Sequence, residues 1–225
     1  MRFDVMTLFP QMIEEYCGKS IIGRGIEAGY LQVHAHDIRN YSKDKHRRVD
    51  DTPYGGGMGM LMSAVPVCDC YDAVRAMDPE KKTRTVYLSP KGKLFNQKKA
   101  VELAGYERVI LLCGHYEGID SRAIEEICDE ELSVGDYVLT GGELGALIVI
   151  DAVGRLIDGV LADPSCYTEE SIASGLLEYP QYTRPEVFRG KRVPEVLLSG
   201  NHKEIEKWRY RAALEETMRK RPDLL

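Results

Sequence analysis

Three segments of the sequence each join an apolar, strand-like run to a glycine turn, and these segments are the best candidates for binding a ligand. They are TVYLSPKG (85–92), VILLCGHYEG (109–118) and DYVLTGGE (136–143). Because the loops after parallel strands gather at one edge of a sheet, we expect the three turns to line one crevice. Glycine lets a ligand approach the backbone amides and carbonyls of such turns closely.

No phosphate-binding motif accompanies these turns. The sequence contains neither G-x-x-x-x-G-K-[ST] nor G-x-G-x-x-G, so the usual sites for nucleoside triphosphates and dinucleotides lose their support. A nicotinamide-dependent oxidoreductase, one alternative for an α/β sheet, is disfavoured for the same reason. The crevice is therefore predicted to hold a ligand with an aromatic base and little phosphate.

The sequence shows no clear metal site. The six cysteines form no C-x-x-C pair and have no histidine at zinc spacing, which predicts reduced core residues. His34 and His36 share one face of a strand near Asp37, but further ligands are missing. An ordinary exposed strand is therefore favoured over a metal site there.

Charge is distributed unevenly along the 225 residues. The net charge is −6, which argues against nonspecific coating of nucleic acid. Residues 184–225, however, hold 11 Lys and Arg against 7 Asp and Glu. This basic region favours a directed contact with an anion, with a solvated helix as the alternative. No apolar run is long enough to span a bilayer, and MRFDVMTLFP lacks the features of a signal peptide, so a cytoplasmic location is predicted.

A regular alternation of strands and helices over 64–158 predicts an α/β fold with a mainly parallel sheet. The run DVMTLF (4–9) predicts a buried first strand, and Pro10 favours the first turn of a helix. The alternating segment YLQVHAHDI (30–38) predicts a half-exposed strand, and the nearly uniformly apolar segment 143–157 predicts a deeply packed helix. Further strands are predicted at 85–89 and 108–113, and further helices at AVPVCDCYDAVRAM, NQKKAVELAG and SRAIEEICDEE. Glycines are expected to break 19–30 into short pieces, and 43–62 is predicted to be a long loop.

Three parts follow from the change of composition near residue 162. Residues 1–161 are predicted to be the α/β domain. Residues 162–175 are rich in Ser, Thr and Glu without a periodic apolar face, which predicts a flexible linker. Residues 176–225 are predicted to form a small, mostly helical domain that ends in a helix over about 202–220, with Ser199 and Asn201 as possible caps.

Eight motifs occur in order over nearly the whole chain: FDVMTLFP, VDDTPYGGGMGM, YLSPKG, LCGHYEGID, SVGDYVLTGGE, RLIDGVL, GLLEYPQYTRPE and SGNHKEIEKWR. In these motifs the chain resembles the bacterial tRNA (guanine-N1)-methyltransferase family, whose members methylate guanosine 37 beside the anticodon and so support reading-frame maintenance. The resemblance implies that 1–161 is a catalytic domain whose C-terminal half forms a trefoil knot of the SPOUT type. It also implies a homodimer with the active site between subunits, and a tRNA-binding role for 176–225.

The resemblance further implies that the three turns bind S-adenosyl-L-methionine, which has an adenine, a ribose and no phosphate. Glu117 is expected to pair with the amino group of the methionine tail. His115 stands where many members of the family carry Arg. The residues assigned to the cofactor are Tyr87, Leu88, Ser89, Pro90, Gly114, Tyr116, Glu117, Gly118, Val134, Gly135, Asp136, Tyr137, Val138, Leu139, Gly141 and Gly142.

Two catalytic residues are carried over from the family motifs. Arg155 is assigned as the cation that stabilises charge on the guanine, and Glu170 as the general base. The family has Asp at the position of Glu170, and Glu has one more methylene group. Glu169 and then Asp163 are the alternatives. A tRNA-binding protein that has lost catalysis is the second hypothesis, motivated by this replacement and by His115.

The predicted RNA contacts lie in two regions. Trp208 is expected to pack in a core rather than stack on a base. Magnesium is implied by the family, although no site for it is visible in the sequence. The target base must leave its stack to reach the crevice. The residues assigned to RNA are Asp50, Gly55, Gly56, Gly57 and Gly59 in the glycine-rich loop, and Arg184, Arg189, Lys191, Arg192, Lys203, Lys207, Arg209 and Arg211 in the last domain.

Overall fold

Five parallel strands form one sheet in the N-terminal part of the chain. From one edge to the other they are β2 (Gln32–Asp37), β1 (Arg2–Thr7), β6 (Arg108–Cys113), β5 (Thr83–Leu94) and β7 (Glu130–Ser133). All four neighbouring pairs run parallel. The predicted α/β class with a mainly parallel sheet is thereby confirmed.

The structure is a computed structural model that describes residues 1–163, 171–172 and 175–225. The chain divides into two units, Met1–Ala162 and Asp163–Leu225. In the described residues of the first unit the helices are α1 (Pro10–Cys17), α2 (Ser20–Glu27), α3 (Ala64–Met77), α4 (Gln97–Ala104), α5 (Ser121–Ile127) and α6 (Glu143–Gly154). A short antiparallel pair, β3 (Asp50–Asp51) and β4 (Leu61–Met62), lies within the predicted long loop. Most of the predicted linker, 164–170 and 173–174, lies outside the described residues.

The core of the first unit lies on both faces of the sheet. The central strand β6 is buried at every position, as a parallel strand covered by helices requires. Its Val109 and Leu111 pack in a cluster that includes Val149 of α6, while Ile110 and Leu112 pack in another that includes Val67 of α3. The helices therefore enclose the sheet as two outer layers.

The third predicted strand is wrong. DYVLTGGE was expected to contain it, but the strand is β7, directly before, and Val138 is 85% exposed in the loop that follows. Glu130 in β7 accepts hydrogen bonds from Arg84 Nε (2.9 Å) and Lys99 Nζ (3.0 Å). These ion pairs stabilise a charged residue within the strand, so the sequence of β7 lacks the apolar run by which a buried strand is recognised. The helix predicted over 121–131 therefore also ends earlier than expected, at Ile127.

Two helix predictions also need correction. Residues 20–27 form one helix, α2, although it contains Gly23 and Gly25. A Cβ at Gly23 would lie 2.7 Å from the backbone of Gly18, so glycine here permits close packing rather than breaking the helix. Helix α6 ends at Gly154, and its Leu144 and Ile148 are exposed, so it is not packed on all sides.

The second unit contains a small ribbon and two described helices. These elements are β8 (Val187–Phe188), β9 (Lys191–Arg192), α7 (Glu195–Leu198) and α8 (His202–Lys220). The predicted final helix is confirmed, and the Asn201 side chain caps it by accepting a hydrogen bond from Glu204 N (3.4 Å). Trp208 packs between the rings of Tyr179 and Tyr182. In the described part of the chain, no helix combines the length and apolar character needed to cross a membrane.

Candidate functional site

A crevice of about 670 Å³ lies beside a bulge in β5 and at the carboxyl ends of β6 and β7. Three loops line it, and we call them the first loop (87–92), the second loop (114–120) and the third loop (134–142). The crevice thus lies at the edge of the sheet where parallel strands place their following loops. The prediction that the three glycine turns meet in one crevice is confirmed.

The residues assigned to the cofactor line this crevice with one exception, Asp136. The lining residues among them are Tyr87, Leu88, Ser89, Pro90, Gly114, Tyr116, Glu117, Gly118, Val134, Gly135, Tyr137, Val138, Leu139, Gly141 and Gly142. Their assignment to a cofactor stays a prediction. Cys113, which the sequence places beside the second turn, is completely buried and packs in the core.

The first loop is a bulge within β5. Pairing with β7 runs from Val86 to Leu88 and resumes only at Lys93, so the intervening residues leave the ladder. At Gly92 a Cβ would lie 2.4 Å from the backbone of Glu131, so only glycine allows the two strands to close again. The bulge directs Ser89 and Pro90 into the crevice.

The second and third loops are joined to each other by backbone hydrogen bonds. Gly142 N donates to Gly114 O (3.0 Å), and His115 forms an isolated antiparallel bridge with Gly141. A Cβ at Gly141 would lie 2.3 Å from the His115 ring, so a larger residue there would push the loops apart. One wall of the crevice is thus a single bonded unit.

A buried carboxylate anchors that wall. Glu143, the first residue of α6, is 2% exposed. Its Oε1 accepts a hydrogen bond from Thr7 Oγ1 (2.6 Å), and its Oε2 lies 2.8 Å from His115 Nε2. The carboxylate therefore connects the end of β1 to the second loop and to the start of α6.

The sequence analysis missed both Glu143 and Thr7. One signal could have found Glu143: it is the acidic first residue of an otherwise apolar helix, ELGALIVIDAVG. An acidic side chain is favoured in the first turn of a helix, and the apolar segment after Glu143 indicates that this turn is close to the core. Thr7 carries no comparable signal.

Tyr87 contributes a neutral hydroxyl to the crevice. Burial raises the pKa of Tyr87 to about 12, and the negative charge of Glu131 adds to the effect. The phenol therefore stays protonated at neutral pH and can donate a hydrogen bond.

The glycine-rich loop predicted to meet RNA is bonded to the second loop. Glu117 N donates to Met60 O (3.0 Å), and Met62 N donates to Gly118 O (2.9 Å). Gly59 has a positive φ, and a Cβ there would lie 2.4 Å from Glu117 Cγ. Asp50 lies in β3, where it pairs with Met62. Gly55, Gly56 and Gly57 have open space around them, and the adjacent Tyr54, which lines the crevice, is 99% exposed.

Arg155, the predicted catalytic cation, does not line the crevice. It lines a separate pocket of about 260 Å³ in the first unit, together with Tyr16, Lys19 and Asp151. Tyr16 OH donates to Asp151 Oδ2 (2.6 Å), and this hydrogen bond, with burial, raises the pKa of Tyr16 to about 12. Within one chain, Arg155 and the crevice belong to different pockets.

The predicted base and its first alternative, Glu170 and Glu169, lie outside the described residues. The more distant alternative, Asp163, is described and is the first residue of the second unit. The role of all three stays a prediction.

The basic residues assigned to RNA in the second unit are all exposed. On α8, Lys203, Lys207 and Arg211 follow one another at intervals of four residues and so share one face of the helix. Arg209 stands over the Tyr179 ring (4.9 Å), which leaves its guanidinium on the surface of the aromatic cluster. The remaining members of this set are Arg184, Arg189, Lys191 and Arg192.

The described residues hold no group of three or more His, Cys, Asp or Glu that could bind a metal ion. The His36 considered in the sequence analysis is engaged, because its Nε2 lies 2.7 Å from Asp4 Oδ1. Burial, followed by the charge of Arg2, lowers the pKa of His34.

Comparison with known proteins gives consistent matches over the full length. The family model described as tRNA (Guanine-1)-methyltransferase TrmD matches residues 1–225. A protein of Caldanaerobacter subterraneus subsp. tengcongensis is 58% identical over 225 residues, which cover 100% of this chain and 92% of that protein. A protein of Ruminiclostridium cellulolyticum is 56% identical over 224 residues, covering 100% of this chain and 96% of that protein. Both carry the name tRNA (guanine-N(1)-)-methyltransferase.

Proposed function

The chain belongs to the tRNA (guanine-1)-methyltransferase family, and on this premise we propose that it transfers a methyl group from S-adenosyl-L-methionine to N1 of guanosine 37 in tRNA. The observation that carries the proposal is the crevice formed by the three loops, which lie at the bulge of β5 and at the carboxyl ends of β6 and β7. The proposed substrate places the reaction in the cytoplasm.

The residues of the crevice suit S-adenosyl-L-methionine. Leu88 and Leu139 offer apolar surface for an adenine ring, and the glycine-containing second and third loops offer backbone amides and carbonyls for polar edges. Glu117 offers a carboxylate for the amino group of the methionine tail. When bound, the cofactor supplies a methyl group on a positively charged sulfur, which is open to in-line attack.

The protein must then handle one proton and one developing charge. Guanine N1 carries a proton and has no free lone pair, so a base has to remove it, and we assign this step to Glu170. As the proton leaves, negative charge grows toward O6 of the guanine. Arg155 is the cation assigned to stabilise that charge.

A homodimer is proposed because it would bring Arg155 to a crevice of the second copy. Within one chain the two belong to different pockets. Helices α1 and α6 contact each other and present exposed apolar pairs four residues apart. These exposed side chains are Met12 and Tyr16 on α1, and Leu144 and Ile148 on α6. An apolar surface of this kind is typical of a subunit interface.

We propose that tRNA contacts the glycine-rich loop and the basic second unit. Asp50 and the glycines at 55–57 and 59 are suited to the target guanosine. The end of their loop is hydrogen-bonded to the second loop, which lines the crevice. The exposed Lys and Arg side chains of the second unit are suited to phosphates, which makes affinity dependent on salt.

Two features implied by the family remain predictions. The trefoil knot is one of them. The other is magnesium: the residues described in the structure offer it no cluster of ligands, so no step is assigned to it.

The experiment that tests the proposal measures radiolabelled methyl transfer to tRNA transcripts with guanosine or adenosine at position 37. Transfer to the first transcript alone, mapped to guanine N1, is expected. Glu170→Gln should lower turnover by orders of magnitude while cofactor binding persists, with Glu169→Gln as the matched control. Near-normal turnover of Glu170→Gln would assign the base to Glu169 or elsewhere. No transfer by the wild type, despite binding of cofactor and tRNA, would favour a binding protein that has lost catalysis.

A further inference from the structure

The ribbon of β8 and β9 in the second unit carries an aromatic side chain at its tip. Val187 pairs with Arg192, and Phe188 pairs with Lys191. The two residues that connect the strands, Arg189 and Gly190, both have positive φ, as in the tight turns that join twisted strands. All residues of the ribbon are exposed, and Phe188 is 61% exposed.

The two faces of the ribbon differ in character. Residues directly opposite each other share a face, so Phe188 lies beside Lys191 while Val187 lies beside Arg192 on the other face. Arg192 is paired with Glu186 (2.7 Å). In the described part of the chain, Lys191 has no carboxylate partner.

A second cation stands over the aromatic ring. The guanidinium of Arg189 lies 5.3 Å from the centre of the Phe188 ring. The ring is thus accompanied by one cation above it and another on the opposite strand, and most of its surface stays open to solvent. A phenylalanine with most of its surface exposed gains little stability from burial, so folding alone does not account for an aromatic residue at the tip.

We propose that Phe188 stacks on an unpaired base of the tRNA, while Arg189 and Lys191 hold the neighbouring phosphates. Every base has a flat aromatic face, and an aromatic side chain flanked by cations provides both contacts that a single-stranded nucleic acid needs. The proposal rests on the proposed function and names the element of the second unit that would recognise exposed bases in its substrate.

The charge around the ribbon favours RNA over a protein partner. Arg184, Arg189 and Lys191 have no ion pair among the described residues, so their charge is available to an anion. Glu186, the carboxylate beside the ribbon, is held by Arg192. A second copy of this chain, with a net charge of −6, is the alternative occupant that the test must separate.

The test compares Phe188→Ala with Val187→Ala, a change of another exposed apolar residue on the opposite face of the same ribbon. Affinity for an unmodified tRNA transcript is measured at several salt concentrations, with cofactor affinity measured in parallel. Phe188→Ala should weaken tRNA binding about 5- to 150-fold, the range for loss of one stacked base. The salt slope should not change, because phenylalanine releases no counterions, whereas Lys191→Ala should lower that slope by about 1. The tRNA affinity of Val187→Ala should stay within about twofold of the wild-type value, and so should the cofactor affinity of each variant.

A spectroscopic signature adds to this comparison. Trp208 is the only tryptophan of the chain, so Phe188→Trp adds one fluorophore at the ribbon. Addition of tRNA should quench the fluorescence of this variant more than that of the wild type, and the variant should keep wild-type affinity.

Three outcomes would overturn the inference. If the wild type methylates tRNA but Phe188→Ala binds tRNA as tightly as Val187→Ala does, the stacking role alone is wrong. If Phe188→Ala changes the sedimentation of the free protein toward monomer, the ribbon contacts a second copy instead. If the wild type binds no tRNA, the proposed function fails and this inference fails with it.

Discussion

Glu143 Oε2 lies 2.8 Å from His115 Nε2, and this contact joins the start of α6 to the second loop, 28 residues earlier in the sequence. The other oxygen of the same carboxylate accepts a hydrogen bond from Thr7, at the end of β1. The carboxylate itself is buried, and an unpaired polar atom there would be costly. The shape of the second loop therefore depends on a residue at the start of α6 that does not itself line the crevice.

Replacing Glu143 by Gln should lower both the stability of the protein and its affinity for the cofactor. The amide keeps the shape of the side chain but loses the charge-assisted hydrogen bonds, which contribute about 1.5–3 kcal/mol each in such settings. We expect a lower free energy of unfolding in urea and a higher Kd for S-adenosyl-L-methionine, measured by calorimetry. Glu102→Gln, a surface change next to Lys99, is the matched control and should alter neither quantity. Unchanged cofactor affinity in Glu143→Gln would show that the contact supports only the fold.

Gly141→Ala should damage the crevice more selectively. The added Cβ would lie 2.3 Å from the His115 ring and 2.6 Å from Glu143 Oε2, so the second and third loops must separate. Overpacking of this kind costs about 1–3 kcal/mol, and we expect cofactor affinity to fall about tenfold or more. Gly105→Ala is the control, because Gly105 lies at the end of α4 with an ordinary φ of −79° and is no part of the crevice. Equal affinities in the two variants would contradict the bonded wall.

The crevice could be predicted from the sequence because its elements are local. For the first and second loops, an apolar run followed by a glycine turn is visible within ten residues, and the sheet then brings such turns together. The strand β7 could not be placed, since Glu130 is stabilised by Arg84 and Lys99, which lie elsewhere in the sequence. The apolar run that marks a buried strand is absent there, because charged residues whose partners lie elsewhere in the sequence occupy its first half.

The contacts between residues far apart in the sequence could not be predicted either. Thr7 and Glu143 are 136 residues apart, and nothing in either segment indicates that they meet. The separation of Arg155 from the crevice was also not predicted, because the resemblance of its motif implies a role for Arg155 but does not indicate where it lies in the fold. Local signals thus defined the loops, whereas the anchors of the loops depend on tertiary packing.

Arg155→Ala should lower turnover far more than cofactor affinity. Arg155 lines the pocket beside Tyr16 and Asp151 and lies outside the crevice, so the Kd for S-adenosyl-L-methionine should stay unchanged. Loss of a group that stabilises developing charge lowers turnover by roughly 10²–10³. Single-turnover methyl transfer to tRNA, with Arg24→Ala on the exposed surface of α2 as the control, measures this. Equal losses in turnover and in cofactor affinity would instead assign Arg155 to cofactor binding.

Acid should destabilise the protein through Asp4, which is completely buried in the middle of β1. Burial alone would raise the pKa of Asp4, but hydrogen bonds from His36, Arg2 and Arg108 outweigh it and hold the pKa well below its usual range. Since the pKa is lower in the folded state, the stabilisation is fully present above the unfolded value of about 4 and is lost as the pH falls toward the folded value. The urea midpoint of the wild type should therefore drop steadily below about pH 4.

Asp4→Asn tests this assignment. Removing one partner of a buried ion pair costs about 3–5 kcal/mol, so the variant should unfold at lower urea at pH 7. Its midpoint should also change less with acid than that of the wild type, because the group that titrates is gone. Asp44→Asn is the control: the pKa of Asp44 is also lowered, chiefly by the backbone N–H of His46, but the side chain is exposed, and the midpoint should match the wild type. An acid response as steep in Asp4→Asn as in the wild type would place the responsible carboxylate elsewhere.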